Sequence, residues 1–228
     1  MFTTVLLSSH HVAVQPVHTG RMQAWAPPAA ALLVAERLVA AMLFALVAPL
    51  LLAAAVAVRL ASGESPFVAH LRLGQHGRAL WVVKLRTMWP SPPSRRSSPF
   101  LQRIVEAPLQ PKDRGDPRVT SRLAAVCRRY SIDEVPQLLQ VALGQMSLVG
   151  PRPITGAEFA AHYGPVTKEV LSVKPGITGL WQIMGRSRLT HRQRRRLDVF
   201  LVRHRSVGFY LRILLRTLPK LCVADDAW

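Results

Sequence analysis

The chain has 228 residues, half of them hydrophobic, with 30 lysines and arginines against 12 acids and a net charge of +18. That length suits one good-sized domain or a smaller one with an appendage. An apolar and a basic excess together argue against a plain soluble enzyme and for an anionic partner: a membrane surface, where each nearby cation contributes about 1 kcal/mol, or a nucleic acid. Cys127 and Cys222 are too few and too far apart for a disulfide framework or a zinc set. The eight histidines show no H-x-x-x-H or H-E-x-x-H spacing, so the sequence carries no histidine metal motif.

Residues 1–28 lack a hydrophobic period and end at Pro27-Pro28, which predicts a loosely ordered leader. Val5-Leu6-Leu7 is too short an apolar run for a signal peptide, and no basic region precedes it. Residues 29–58 are almost continuously apolar, broken by Glu36-Arg37 and Pro49. The uncharged residues 38–58, at about 1.5 Å per residue, reach across a hydrocarbon core of about 30 Å, so a membrane segment is predicted. Pro49 removes a backbone hydrogen bond and favours a kink. One reading is a kinked transmembrane helix with its basic C-terminal side in the cytoplasm.

Residues 67–74 and 79–86 are short apolar, β-branched and aromatic pieces divided by glycines, the pattern of a β-hairpin. Alternation places Lys84 and Arg86 on one face of its second strand. Residues 90–99, with Pro92-Pro93 and several serines, read as a loop. Asp116-Pro117 initiates a turn carrying Arg118, and residues 121–130 form a short basic helix with Leu123, Val126 and Cys127 inward.

The run Ser131-Ile132-Asp133-Glu134-Val135-Pro136-Gln137 holds two adjacent carboxylates in a chain poor in acids, with Arg128 and Arg129 upstream and Arg152 downstream. Ser131 and Glu134 have capping-box spacing. Alternatively, the helix starts at Pro136, which needs no N–H donor. In both cases the acid pair lies at or beside a helix N-terminus, where unpaired N–H groups favour anions such as phosphates. Both acids serving only as caps is the plainer alternative. Gly150-Pro151-Arg152-Pro153 is a stiff loop whose guanidinium suits bidentate contact with a diphosphate; an ordinary turn with an exposed arginine is the other reading. Residues 158–172 read as a mixed helix, and Lys174-Pro175-Gly176 opens a glycine-containing loop ending at Trp181. Residues 192–218 alternate arginine clusters with apolar residues, as in a helix that lies in the headgroup plane or packs on the domain. Asp225-Asp226 is a solvated terminus.

Four motifs in order, Lys84-Leu85-Arg86-Thr87-Met88, Asp116-Pro117-Arg118-Val119-Thr120, the run from Arg128 to Pro153, and Lys174-Pro175-Gly176-Ile177-Thr178-Gly179-Leu180-Trp181-Gln182, resemble the bacterial sugar transferases. These are monotopic polyprenyl-phosphate phosphoglycosyl transferases that begin exopolysaccharide, O-antigen and glycoprotein glycan assembly. The resemblance, over roughly residues 36–218, implies an α+β fold. It comprises an N-terminal membrane helix (re-entrant hairpin or kinked transmembrane), a mostly helical catalytic domain with a small β-hairpin, and a C-terminal amphipathic helix. The expected division is 1–28 leader, 29–60 membrane helix hairpin, 61–221 catalytic domain with basic tail, and 222–228 terminus. In the family the proline folds the membrane helix back so that both ends stay cytoplasmic.

The resemblance also implies transfer of sugar-1-phosphate from a UDP-sugar to undecaprenyl phosphate, on the cytoplasmic face of the bacterial inner membrane. Asp133 would be the nucleophile and Glu134 its acid and metal partner, the two holding Mg²⁺. Lys84, Arg86, Arg118, Arg128 and Arg152 would bind phosphate. The chain departs from the family pattern at Ala40, Gln145 and Tyr210, where relatives carry acids, at Ala48 in place of serine, and at His70 in place of glutamine. Ala40, Gln145 and Tyr210 motivate a competing reading as a non-catalytic scaffold. The charge motivates another, a membrane-tethered nucleic-acid or anionic-polymer binder; low aromatic content and the absence of a recognition motif argue against a nucleic-acid partner.

Overall fold

The computed structural model describes residues 7–8, 11–12, 30–88, 99–105, 121–185 and 188–222. Most of the expected leader, loop residues 90–98, the 116–120 turn with Arg118, and the last six residues lie outside the described residues. Within the leader, β1 (Leu7–Ser8) pairs antiparallel with β2 (His11–Val12).

Alanine and leucine dominate α1 (Ala30–Ser62), which is helical through Pro49. One face of α1 is buried at Ala40, Leu51, Ala55, Val58 and Ser62, while Leu38, Met42, Leu46, Leu50, Leu52, Val56 and Leu60 are exposed. Gly63, at φ +69°, donates to the Arg59 carbonyl at 2.9 Å and closes the helix in the left-handed conformation that glycine adopts without strain.

β3 (Phe67–Leu73) and β4 (Ala79–Leu85) form the expected hairpin, in register Phe67↔Leu85 to Leu73↔Ala79. A third strand, β5 (Leu101–Ile104), pairs parallel with β3 on its other edge. No local pattern marks it, because Leu101, Gln102 and Arg103 are all exposed and show no burial alternation.

α2 (Arg122–Arg129) is capped by the Ser121 hydroxyl, which accepts from the Ala124 N–H at 3.1 Å. Ala124 and Cys127 face inward as their spacing requires, but Val126, expected inward, is 46% exposed. A 3₁₀ turn (Ile132–Glu134) leads to α3 (Gln137–Ala142), then to β6 (Ser147–Val149). The expected mixed helix 158–172 is three pieces: α4 (Gly156–Glu158) with a Thr155/Glu158 capping box, a π-helical stretch Phe159–Tyr163, and a 3₁₀ stretch Pro165–Ser172. Gly164, at φ +66°, and Pro165 break it. β7 (Gly176–Thr178) pairs parallel with β6, and α5 (Leu180–Met184) follows. The basic tail divides into α6 (His191–Arg203) and α7 (Val207–Cys222).

The inner face of α1 shares core with the domain on both sides of Pro49. Ala40 packs with Leu80, Val82, Val141 and Met146; Leu51, Ala55 and Val58 pack with Leu85, Ala124 and Cys127. Another core joins Val149, Trp181, Leu197, Leu201 and Ile213. Polar ties fix these layers. Glu36 Oε1 on α1 accepts from the Ser147 hydroxyl at 2.6 Å, the Leu148 N–H at 2.5 Å and the Tyr210 hydroxyl at 2.6 Å. Such charge-assisted bonds contribute about 1.5–3 kcal/mol each. Gln140 acts as an extra edge partner for β4: its Oε1 accepts from the Val83 N–H at 3.0 Å and its Nε2 donates to the Trp81 carbonyl at 2.8 Å.

Candidate active site

The acid pair sits on the turn between α2 and α3. Ser131, at φ +55°, ends α2 in a left-handed residue, and its side chain makes no capping bond. The capping box expected from Ser131 and Glu134 is therefore absent; backbone bonds Glu134 N–H to Ser131 O (3.0 Å) and Val135 N–H to Ile132 O (3.2 Å) hold the turn instead. Pro136 is the N-cap of α3, so the proline-led start is the reading closer to the structure, one position on. Ile132 and Val135 anchor the turn by packing on the α1 core, which leaves Asp133 and Glu134 between them half-buried.

Three charged groups act on Asp133 besides its burial. Burial raises its carboxyl to about 6; Lys84 pulls it down, Glu134 pushes it up, and Arg128 pulls it down. Lys84, near the end of β4, donates from Nζ to Glu134 Oε1 at 2.6 Å, with both side chains about one-third exposed. Beneath them Cys127 is a free, buried thiol, raised by burial and by Asp133. A carboxyl near 6 is mostly ionised at neutral pH yet more basic than an exposed one.

The structure thus brings together Asp133, Glu134, Lys84 and Arg128. Arg86, past the end of β4, turns elsewhere: its Nε donates to the Ser65 carbonyl at 2.7 Å and its guanidinium also bonds Gln102, tying β4 to β5. Arg152 belongs to a second cluster, with its guanidinium 5.2 Å from the Trp181 ring centroid. The loop that carries it is locked by close backbone approach. Gly150 N–H donates to Thr178 O and Gly176 N–H to Pro151 O, each at 2.9 Å, and a Cβ on Gly176 would lie 2.1 Å from Gly150 N. Only glycine fits there.

Arg194 stands in the same cluster, also 5.2 Å from the Trp181 ring, and sequence reasoning missed it because it is the first of three consecutive arginines. Below, fully buried Asp198 accepts the Tyr163 hydroxyl at 2.7 Å. Burial raises Asp198 to about 7 against the pull of Tyr163 and Arg152. The α6 period does place Leu197, Asp198 and Leu201 on one inner face, but an acid among them gave no separate signal.

Among the described residues no group of three or more His, Cys, Asp or Glu side chains is placed to hold a metal ion. Two adjacent carboxylates still fit Mg²⁺, which typically takes one or two carboxylate ligands and completes its shell with water and substrate phosphate. Asp133 and Glu134 could supply such a donor pair.

An apolar helix with an exposed lipophilic face, docked on a small α+β domain that carries an acid pair among cations, defines a membrane-associated protein with a charged surface site. The family model described as "Bacterial sugar transferase" matches residues 30–224, and the chain belongs to that family. It is 35% identical to the exopolysaccharide production protein ExoY of Rhizobium meliloti (strain 1021), covering 84% of this chain and 85% of the relative. It is 39% identical to the UDP-glucose:undecaprenyl-phosphate glucose-1-phosphate transferase of Caulobacter vibrioides, covering 83% and 68%. A UDP-galactose-lipid carrier transferase of Erwinia amylovora is 34% identical over 73% of this chain and 35% of its own length.

Proposed function

We propose that this protein transfers a sugar-1-phosphate from a UDP-sugar to undecaprenyl phosphate, initiating an exopolysaccharide or related glycan. The observation that carries the reading is the grouping of Asp133, Glu134, Lys84 and Arg128 on the surface beside α1, in a chain whose relatives bear the names of such transferases. An Asp133 carboxylate oxygen attacks the β-phosphorus of the donor. The bond from that phosphorus to the oxygen bridging it to the α-phosphorus breaks, UMP leaves with that oxygen, and the phosphosugar is held on Asp133. A phosphate oxygen of the lipid then attacks the same phosphorus, the Asp–phosphorus bond breaks, and the carboxylate is regenerated.

Lys84 and Arg128 offset charge on the phosphoryl oxygens, and Glu134 orients Lys84 and accepts the proton of a monoprotonated lipid phosphate as that phosphate attacks. Mg²⁺ held by Asp133 and Glu134 would supply Lewis-acid neutralisation of phosphate charge. Arg118 is assigned to phosphate by the resemblance alone. Arg86 is a support of the sheet that positions Lys84.

For α1 we favour the re-entrant placement on the cytoplasmic face of the inner membrane. Both of its ends are tied to one domain, through Glu36 to β6 and α7 and through Val58 to α2 and β4. A helix crossing the bilayer would carry one end away from that domain. The exposed leucines of α1, with Leu211, Leu215 and Leu218 of α7, offer the apolar surface that faces lipid.

The residues that suggested an inactive scaffold are each engaged in packing or hydrogen bonds within the fold. Ala40 is fully buried against Val141, Gln145 Oε1 accepts from Gln140 at 3.1 Å, and Tyr210 bonds Glu36. The test is UMP release from a panel of UDP-sugars with undecaprenyl phosphate, with Mg²⁺ present and chelated. Release with one donor, dependent on lipid and metal, is expected; no release with any donor refutes the reading.

A further inference from the structure

We propose that Arg152 and Arg194 form a two-armed clamp for a phosphate group over the ring of Trp181, with Arg194 as a ligand-binding residue. The inference deepens the transferase reading and rests on it, since the phosphate would be that of the nucleotide donor or of the lipid acceptor.

The two guanidinium groups come from separate parts of the chain: Arg152 from the loop locked by Gly150 and Gly176, Arg194 from the second turn of α6. Each lies 5.2 Å from the Trp181 centroid, and the indole is 6% exposed. Stacking on a fixed ring aims a planar fork and lowers the entropy lost when it binds. Neither guanidinium forms a hydrogen bond or ion pair among the described residues, and Arg194 Nε is buried with no partner.

The surroundings do not balance these charges. His162 and His191 stack at 4.1 Å beside them, and Arg195 donates to the His162 carbonyl at 2.8 Å. Glu158 acts on the group, and Asp198 beneath it is partly neutral at physiological pH because burial raises its carboxyl. Arg194 is lowered by burial and next by Arg152; His191 is lowered by burial, His162 and Arg194. Like charges gathered over a buried ring, with donors unspent, repel one another and are offset by a phosphate anion.

The test measures binding to the full-length protein in lipid nanodiscs, with UDP as one probe and undecaprenyl phosphate as the other, alongside melting temperature. Arg194→Met is expected to weaken binding of at least one probe tenfold or more, with no fall in melting temperature because a like charge has been removed. Arg194→Lys, which keeps charge but not the fork, is expected to weaken it severalfold and serves if the methionine variant does not fold. Loss confined to UDP assigns the clamp to the nucleotide diphosphate; loss confined to the lipid assigns it to the acceptor phosphate. Wild-type affinity for both probes in either folded variant overturns the clamp, as does a lower melting temperature with binding unchanged. Neither binding measurement requires turnover, so a failed clamp is distinguishable from a failed transferase reading.

Discussion

Lys84 Nζ stands 2.6 Å from Glu134 Oε1, joining the end of β4 to the turn that carries Asp133 across 50 residues of chain. The same lysine opposes the upward push of burial on Asp133. With both partners about one-third exposed, the pair adds little stability, so its value lies in placing charge. Lys84→Met is expected to lower kcat by about 10²-fold or more, the scale of losing one electrostatic donor, with little change in melting temperature. Thermal unfolding beside steady-state kinetics checks both.

With Asp133 as the proposed nucleophile, its carboxyl near 6 is expected to set an acid limb for the reaction, because only the ionised form would attack. Activity is expected to fall as pH drops through about 6, and in Lys84→Met the limb should move to higher pH, since that cation favours the ionised form. A pH–rate profile of kcat/KM for the two proteins reads the shift. A limb that does not move on loss of Lys84 contradicts the assignment.

Asp198 gives a stability signature with a defined sign. Its folded value near 7 lies above the ordinary 3.8, so the folded state holds the proton more tightly than the unfolded one. The associated stability is fully present below about pH 4 and is lost as pH rises through about 7. Asp198→Asn, whose amide oxygen can still accept from the Tyr163 hydroxyl, is expected to flatten the decline between those values. Chemical denaturation at pH 4.5 and pH 8 measures it.

Tyr210→Phe removes one of the three donors to Glu36 Oε1 without opening a cavity. A loss of about 1.5–3 kcal/mol is expected, with KM for both substrates unchanged. Detergent-solubilised protein unfolded by denaturant gives the first quantity and initial rates the second.

The sequence was most legible where one local rule decided the outcome. Apolar, β-branched pieces divided by glycines placed the β3–β4 hairpin, and an apolar run set α1. The acid pair stood out because acids are scarce. Ser131 misled because a capping pattern does not reveal that the residue ends the preceding helix in a left-handed conformation. Lys84 and Arg86 share a strand pattern, but β4 ends at Leu85, and Arg86 bends back to Ser65 and Gln102. Arg194, Gln140 and Glu36 act through contacts 50 or more residues distant or through one arginine in a basic run, and no local period encodes such partners.

The most direct measurement incubates the protein with a radiolabelled UDP-sugar, labelled in the sugar, in the absence of undecaprenyl phosphate. The account predicts UMP release and retained label of about one per chain, discharged on adding lipid phosphate and absent from a folded, membrane-bound Asp133→Asn variant. Retention of label by that variant, or release of UMP only when lipid phosphate is present, would contradict it.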